Sequence, residues 1–359
     1  MLHVTKPSLP SRERLDKYID EIYKTHHLTS NGPLLQLLEK RLKEFLGVKH
    51  LLLCANGTLA LQIAFRALGI KKEAITTPFT YVATASALLW EGIEPRFADI
   101  DASNFNLSPL QIKKRITNNT TAIVPVHVFG NPCDVEEIDK IARENNLKVI
   151  YDAAHAFAIT YKDKSILNYG DASIVSFQAT KVFNTAEGAL IAFKNETDLI
   201  KAKQLLQIGF LSSSDEPVLG LNAKMNDLEA ALGNANLDEF DLQVAKRKEI
   251  WEFYKTELES LFQFPTWMDN ANNNYSYFPA LLSSEEELLS ALEVFNRDKI
   301  FPRRYFYPSI HQYKFLNKNE SYPISEDISK RILCLPLSTE MTLEDARKVT
   351  TILRNEKHD

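Results

Sequence analysis

The chain has 359 residues, of which 45 % are apolar and 25 % charged, with a formal net charge of −5; this is the composition of a packed globular protein with room for a large and a smaller domain. The mild acidic balance excludes the dense basic stripe of a nucleic-acid binder, and the short run Lys246-Arg247-Lys248 reads as a solvated helix face. Cys54, Cys133 and Cys334 form no Cys-x-x-Cys pair, the start Met1–Pro7 lacks an apolar signal core, and no run approaches the ~20 apolar residues of a membrane span, so a cytoplasmic protein is expected.

In chain order, an N-terminal helical arm leads to a helix over 33–46 and a short apolar run at 50–54. A second helix starts near Thr58 and stops at Gly69. Strand-like runs follow at 74–77, 95–100, 121–128, 148–153, 172–178 and 188–193, with helical patterns at 80–91, 108–117 and 134–146 between most of them. This alternation predicts an α/β fold: a mostly parallel sheet with helices on both faces. The last two runs have no helix between them, so part of the sheet is expected to be antiparallel. One long helical stretch is read over 224–262, then a strand at 274–282, a helix at 284–297, a strand at 331–336 and a helix at 342–355. Residues 1–235 are read as the large domain and 236–359 as a smaller α+β domain.

Open parallel sheets bind ligands beyond the carboxyl ends of their strands. Three segments carry suitable groups there. Ala55-Asn56-Gly57-Thr58 joins a strand to a helix; free N–H groups at a helix start, a glycine that permits close approach and the Thr58 hydroxyl suit a phosphate. The competing reading is that Asn56 or Thr58 only caps the helix. Tyr151-Asp152-Ala153-Ala154-His155 ends a strand, and a carboxylate there can pair with a pyridine nitrogen and keep it protonated, as pyridoxal phosphate (PLP) chemistry requires; Asp152 could equally cap a helix. Ser176-Phe177-Gln178-Ala179-Thr180-Lys181 ends another strand with a lysine in a neutral turn, where partial burial favours the unprotonated amine, although most lysines are solvated surface groups. No segment is decisive alone, but their order supplies every contact PLP needs.

With these residues in place, the chain resembles the DegT/StrS family of sugar aminotransferases, within fold type I of PLP enzymes. The resemblance runs over nearly the whole length. Besides the segments above it rests on Asn31-Gly32-Pro33, Pro78-Phe79-Thr80-Tyr81-Val82-Ala83-Thr84, Pro125 through Gly130, and Glu187-Gly188. It implies a seven-stranded, mostly parallel sheet plus a smaller C-terminal α+β domain. It also implies that Lys181 is the Schiff-base lysine, Asp152 the partner of the ring nitrogen, His155 the neighbour of the ring hydroxyl and Tyr81 the stacking aromatic. Gly57, Thr58 and Ser176 match phosphate ligands, and Asn222 matches an Asn that reaches the cofactor of the neighbouring subunit. The implied assembly is a homodimer with shared active sites.

Two departures fall at the expected rim of the site. Asn222-Ala223-Lys224-Met225 stands where the family commonly has Asn-Tyr-Arg-Met, and Ile208-Gly209 where a His-Gly pair is common. Lys181 argues against the dehydrating branch, which carries His there. The runs 179–185, 130–134 and 302–308 resemble transaminases that make dTDP-4-amino-4,6-dideoxyglucose, for O-antigen-type polysaccharides; relatives that make 3-amino-3,6-dideoxyhexoses share some of these features. The implied substrates are a dTDP-linked keto-sugar and L-glutamate. Arg304 is a candidate for the donor carboxylate or the sugar diphosphate, or else a surface ion pair. Thr29, Lys224 and Tyr305 are further substrate candidates. His127 and His311 read as buried or rim residues rather than metal ligands, and no spacing suggests a metal site. A noncatalytic binding protein on this fold is the rival reading, against which Lys181, Asp152, Ser176 and Thr58 all stand. A nicotinamide enzyme would need a Gly-x-Gly-x-x-Gly loop, and Asn56-Gly57-Thr58 has one glycine.

Overall fold

A computed structural model describes residues 1–211, 216–316 and 319–358. The chain opens with a two-residue strand, β1 (Leu2–His3), and the helices α1 (Arg12–Thr25) and α2 (Pro33–Leu46). Leucines at 34, 35, 38, 42 and 46 fall on one face of α2 and are all buried; Pro33 suits its first turn, and Gly47 at φ 61° ends it.

The alternating pattern then builds the sheet. In order come β2 (His50–Cys54), α3 (Gly57–Ala67), β3 (Glu73–Thr76), α4 (Ala83–Trp90), β4 (Glu94–Phe97), α5 (Pro109–Arg115), β5 (Thr120–Val124), α6 (Val135–Glu144) and β6 (Lys148–Asp152). A small hairpin, β7 (Thr160–Tyr161) and β8 (Lys164–Ser165), precedes β9 (Ala172–Ser176) and β10 (Ala189–Phe193). Among the described residues seven strands form one sheet in the order β2-β10-β9-β6-β5-β3-β4. β10 runs antiparallel to both β2 and β9, while the remaining pairings are parallel, as the missing helix before residue 188 implies. The strands are nearly continuous apolar runs because both faces are covered. One face packs on α2, α6 and α8 (Asp227–Asp238), the other on α3, α4 and α7 (Glu196–Leu206).

The stretch read as a single helix over 224–262 is two helices, α8 and α9 (Phe240–Leu258). Glu239 breaks it at φ −118°, ψ 7°, and its carboxylate turns back to accept from the Ser11 backbone N–H and hydroxyl and to pair with Arg14. The apolar period does not register this, since the break is made by a contact more than 200 residues away. A second correction concerns Arg247. It does not lie on a solvated face but is 1 % exposed, donating to the Leu337 carbonyl, and burial pushes its pKa down to about 10. The strand read over 274–282 shrinks to β11 (Phe278–Leu281); α10 (Glu285–Arg297), β12 (Ile300–Phe301), α11 (Pro323–Arg331), β13 (Ile332–Leu335) and α12 (Leu343–His358) complete the chain. These elements enclose a core of their own around Ile250, Phe278, Phe295, Leu333 and Leu353. β1 joins it by pairing with β12, and the Leu337 N–H donates to the Val4 carbonyl. No helix of the described residues is long and apolar enough to cross a membrane.

Candidate active site

β2, β3, β6 and β9 share one direction, so their carboxyl ends open on the same edge of the sheet. All three chemistry-bearing segments are at this edge.

Beyond β2, the Asn56 side chain accepts from the Leu59 N–H at 2.9 Å and caps α3. The cap settles one orphan donor and leaves the N–H groups of Gly57 and Thr58 at the positive end of the helix. The capping role read for Asn56 or Thr58 thus belongs to Asn56. A Cβ added to Gly57 would stand 3.4 Å from the Ser176 Cβ and 3.5 Å from its hydroxyl, so the helix start abuts the end of β9. Two free N–H groups beside hydroxyls at 58 and 176 form a cup suited to a phosphate.

Asp152 ends β6 and is 7 % exposed. One carboxylate oxygen accepts from the Ala154 N–H at 3.1 Å, the other from the Thr84 hydroxyl at 2.7 Å. Burial raises its pKa, opposed by those two hydrogen bonds and by Lys181. Thr84 was not singled out as a site residue. Its hydroxyl lies 2.9 Å from that of Thr80, which stands in the loop before α4.

Lys181 follows β9 in a locked turn. The Gln178 N–H donates to the Ser176 hydroxyl, Thr180 donates to the Gln178 side chain, and the Lys181 N–H donates to the Gln178 carbonyl at 2.8 Å. Desolvation lowers the amine to about 8, with Asp152 and Tyr81 pulling the other way. Amine and carboxylate are therefore close enough for the charge of each to act on the other. His155 is buried, and its Nδ1 accepts from the Phe129 N–H at 3.2 Å, which leaves the ring proton on Nε2. Desolvation, then Lys181, holds it well below its usual range, so it is a neutral donor. Phe129, Tyr277 and Phe306 surround the ring. Gly130, at φ 90°, passes so close that a Cβ would sit 2.9 Å from the His155 carbonyl.

Tyr81 lies in the loop between β3 and α4 and is 59 % exposed in the single chain. Asn222 is exposed too; its neighbour Ala223 accepts from the Ala55 N–H at 2.8 Å, which holds the 222–224 strip beside the phosphate cup. Lys224, on that strip, lines a cavity of about 100 Å³ with Ser30, Asn31, Glu39, Lys203 and Gln207; Thr29 is exposed in the adjoining loop. Arg304 is not an open anion fork: it pairs with Glu285 at 2.6 Å, donates to the Lys330 carbonyl and lies over the Tyr307 ring. Arg303, which the sequence reading passed over, is exposed above the Tyr305 ring and makes no ion pair among the described residues. Tyr305 itself packs edge-on against Tyr277, the ring beside His155.

His127 is fully buried, accepts from the Cys133 N–H and stacks on Tyr151; burial pushes it down to about 3. His311 lies between the Ser309 hydroxyl and Glu326. Among the described residues no group of three or more His, Cys, Asp or Glu could hold a metal ion.

A phosphate cup, a buried anion and a partly deprotonated amine on one edge are the donor set a phosphorylated pyridine aldehyde requires. The comparisons agree. Residues 11–354 match the model of the DegT/DnrJ/EryC1/StrS aminotransferase family. A dTDP-4-amino-4,6-dideoxy-D-glucose transaminase of Shigella dysenteriae is 40 % identical over 99 % of both chains. The structure of DesI in the presence of its TDP-sugar product superposes with a TM-score of 0.94 at 30 % identity, over 99 % of this chain and 93 % of the other. That of NtdA from Bacillus subtilis with bound cofactor PMP gives 0.90 at 27 % identity, over 97 % and 82 %.

Proposed function

The chain belongs to the DegT/DnrJ/EryC1/StrS aminotransferase family, and from that premise we propose that it moves the amino group of L-glutamate to C4 of a dTDP-4-keto-6-deoxyglucose-type sugar. It is a PLP-dependent sugar aminotransferase. When bound, the cofactor supplies an aldehyde that accepts the amino group and a protonated ring that stores the electron pair left as a C–H bond breaks. Asp152, whose two carboxylate oxygens each accept a hydrogen bond, would pair with the ring nitrogen. The Gly57 and Thr58 N–H groups and the Thr58 and Ser176 hydroxyls would hold the phosphate. His155 would donate from Nε2 to the ring hydroxyl, and Tyr81 would cover the ring face. Lys181 Nζ would hold the aldehyde, and the same amine is placed to carry a proton between the donor substrate and the cofactor as general base and then acid. An amine near 8 suits that exchange, being neither fully protonated nor a strong base at neutral pH.

The observation that carries this reading is the meeting of Lys181 and Asp152 beside the α3 cup. Residues 1–235 would form the cofactor domain and 236–359 the smaller one, a division supported by the separate core around Phe278 and Leu333. Asn222 and the open face around Tyr81 fit a homodimer in which each subunit completes the other's site. Three buried, unpaired cysteines suit a reducing cytoplasm, and the product would feed O-antigen-type polysaccharide.

The test is incubation with L-glutamate and either a 4-keto or a 3-keto dTDP-6-deoxysugar, with NMR of the product. Amination at C4 is expected. Amination at C3 alone would move the chain to the 3-aminotransferases, and no amination of either would sink the proposal.

A further inference from the structure

Thr84 is wholly buried and Thr80 is 1 % exposed, yet both hydroxyls are spent in one direction. An ionised carboxylate only accepts, so the Thr84 hydroxyl gives its proton to Asp152, 2.7 Å away. The oxygen of Thr84 must then accept from Thr80, at 2.9 Å. This fixes a one-way chain, Thr80 to Thr84 to Asp152, in a site where each hydroxyl could otherwise rotate. The chain also brackets Tyr81: Thr80 precedes it in sequence, and the Thr84 N–H donates to the Tyr81 carbonyl at 3.2 Å. The segment that carries the exposed ring is thereby tied to the carboxylate behind the expected cofactor plane.

We infer that Thr84, oriented by Thr80, is a positioning residue of the transamination: its hydroxyl aims and keeps ionised the carboxylate of Asp152 that pairs with the cofactor's ring nitrogen, and it couples that carboxylate to the placement of Tyr81. The inference rests on the reading of Asp152 as the ring-nitrogen partner. Ala154 cannot substitute for Thr84, because its N–H reaches the other oxygen. Burial raises the carboxyl, and the Thr84 hydroxyl is the largest of the forces that oppose it. A hydrogen bond to a buried charge is among the stronger kinds, so its loss should be visible in both binding and rate.

The experiment uses the full chain with Thr84→Val, Thr84→Ser, Asp152→Asn and the double variant Thr84→Val/Asp152→Asn. Two quantities are read: the dissociation constant of PLP for the apoprotein, and the single-turnover rate of the L-glutamate half-reaction with its KM. Thr84→Val should weaken PLP binding and slow the half-reaction roughly tenfold to a hundredfold, with KM for glutamate unchanged. Thr84→Ser, which keeps the hydroxyl, should recover most of both. In the Asp152→Asn background Thr84→Val should cost nothing more, since its target has lost its charge. Wild-type values in Thr84→Val, or an undiminished penalty in the double variant, would overturn the inference. Unchanged behaviour in Asp152→Asn alone would instead remove the ring-nitrogen reading on which it stands. If Thr84→Val does not fold, Thr80→Val takes its place: a slower half-reaction at an unchanged melting temperature supports the chain, and an unchanged rate refutes it.

Discussion

Lys181 has to be acidic enough to lose its proton near neutrality and yet remain next to an anion that opposes the loss. Desolvation wins, and the amine lies at about 8. The sign for capture of PLP by the apoprotein follows. Below that value the amine is mostly protonated and inert, so the capture rate, followed by the visible absorbance, should rise tenfold per pH unit and level off above about 8. A rate independent of pH across that midpoint would contradict the assignment, and Lys181→Ala should show no visible band at all. The role proposed for Lys181 rests on Ser176-x-x-x-x-Lys181 and on the family resemblance, and its partial burial in a neutral turn was expected, but its neighbours were not. Thr84 lies far from Asp152 in sequence, and only the pairing of strands brings the hydroxyl to the carboxylate. For Arg304 the sequence left an anion fork and an ion pair both open, and the Glu285 partner nineteen residues earlier is visible only in the structure.

At the scale of elements, α3 is both scaffold and ligand. Its buried face (Ala60, Leu61, Ile63, Ala64, Phe65) seats it on the sheet, and its capped end presents the two N–H groups of the cup. Replacing Asn56 by Ala removes the acceptor for the Leu59 N–H and should cost about 1 kcal/mol of unfolding free energy, measured by urea denaturation of the apoprotein. The same change should weaken phosphate retention, because a frayed first turn no longer aims its donors. An unaltered denaturation midpoint would mean that packing alone holds the turn. Elements with a clean apolar period, such as α2 and β2, could be read directly. The break between α8 and α9 could not, because Glu239 is held by Ser11 and Arg14, and such a cap leaves no trace in local periodicity.

For the whole molecule, the exposed apolar side chains away from the cup are informative. Trp90 is 79 % exposed and Leu219 80 % exposed in the single chain. Arg66 binds Glu91 and the Leu219 carbonyl together, which ties the segments that carry them, and Ile208 and Phe210 in the adjoining turn are also exposed. Exposed apolar residues of this kind are what the homodimer proposed above would cover. Light scattering should give twice the chain mass of 40.9 kDa, and Leu219→Glu should shift it toward the single-chain value while loosening cofactor binding. A monomer that retains PLP at wild-type affinity would refute shared sites.

The pairing of β1 with β12 ties residue 2 to residue 300. During synthesis the first strand leaves the ribosome long before its partner exists, and Val4 waits longer still for the N–H of Leu337. The segment that carries β1 therefore stays undocked until residue 300 and those after it have been made. A bulky fusion placed ahead of Met1 would hinder that closing stitch, while the sheet, whose strands all lie between residues 50 and 193, would already have assembled.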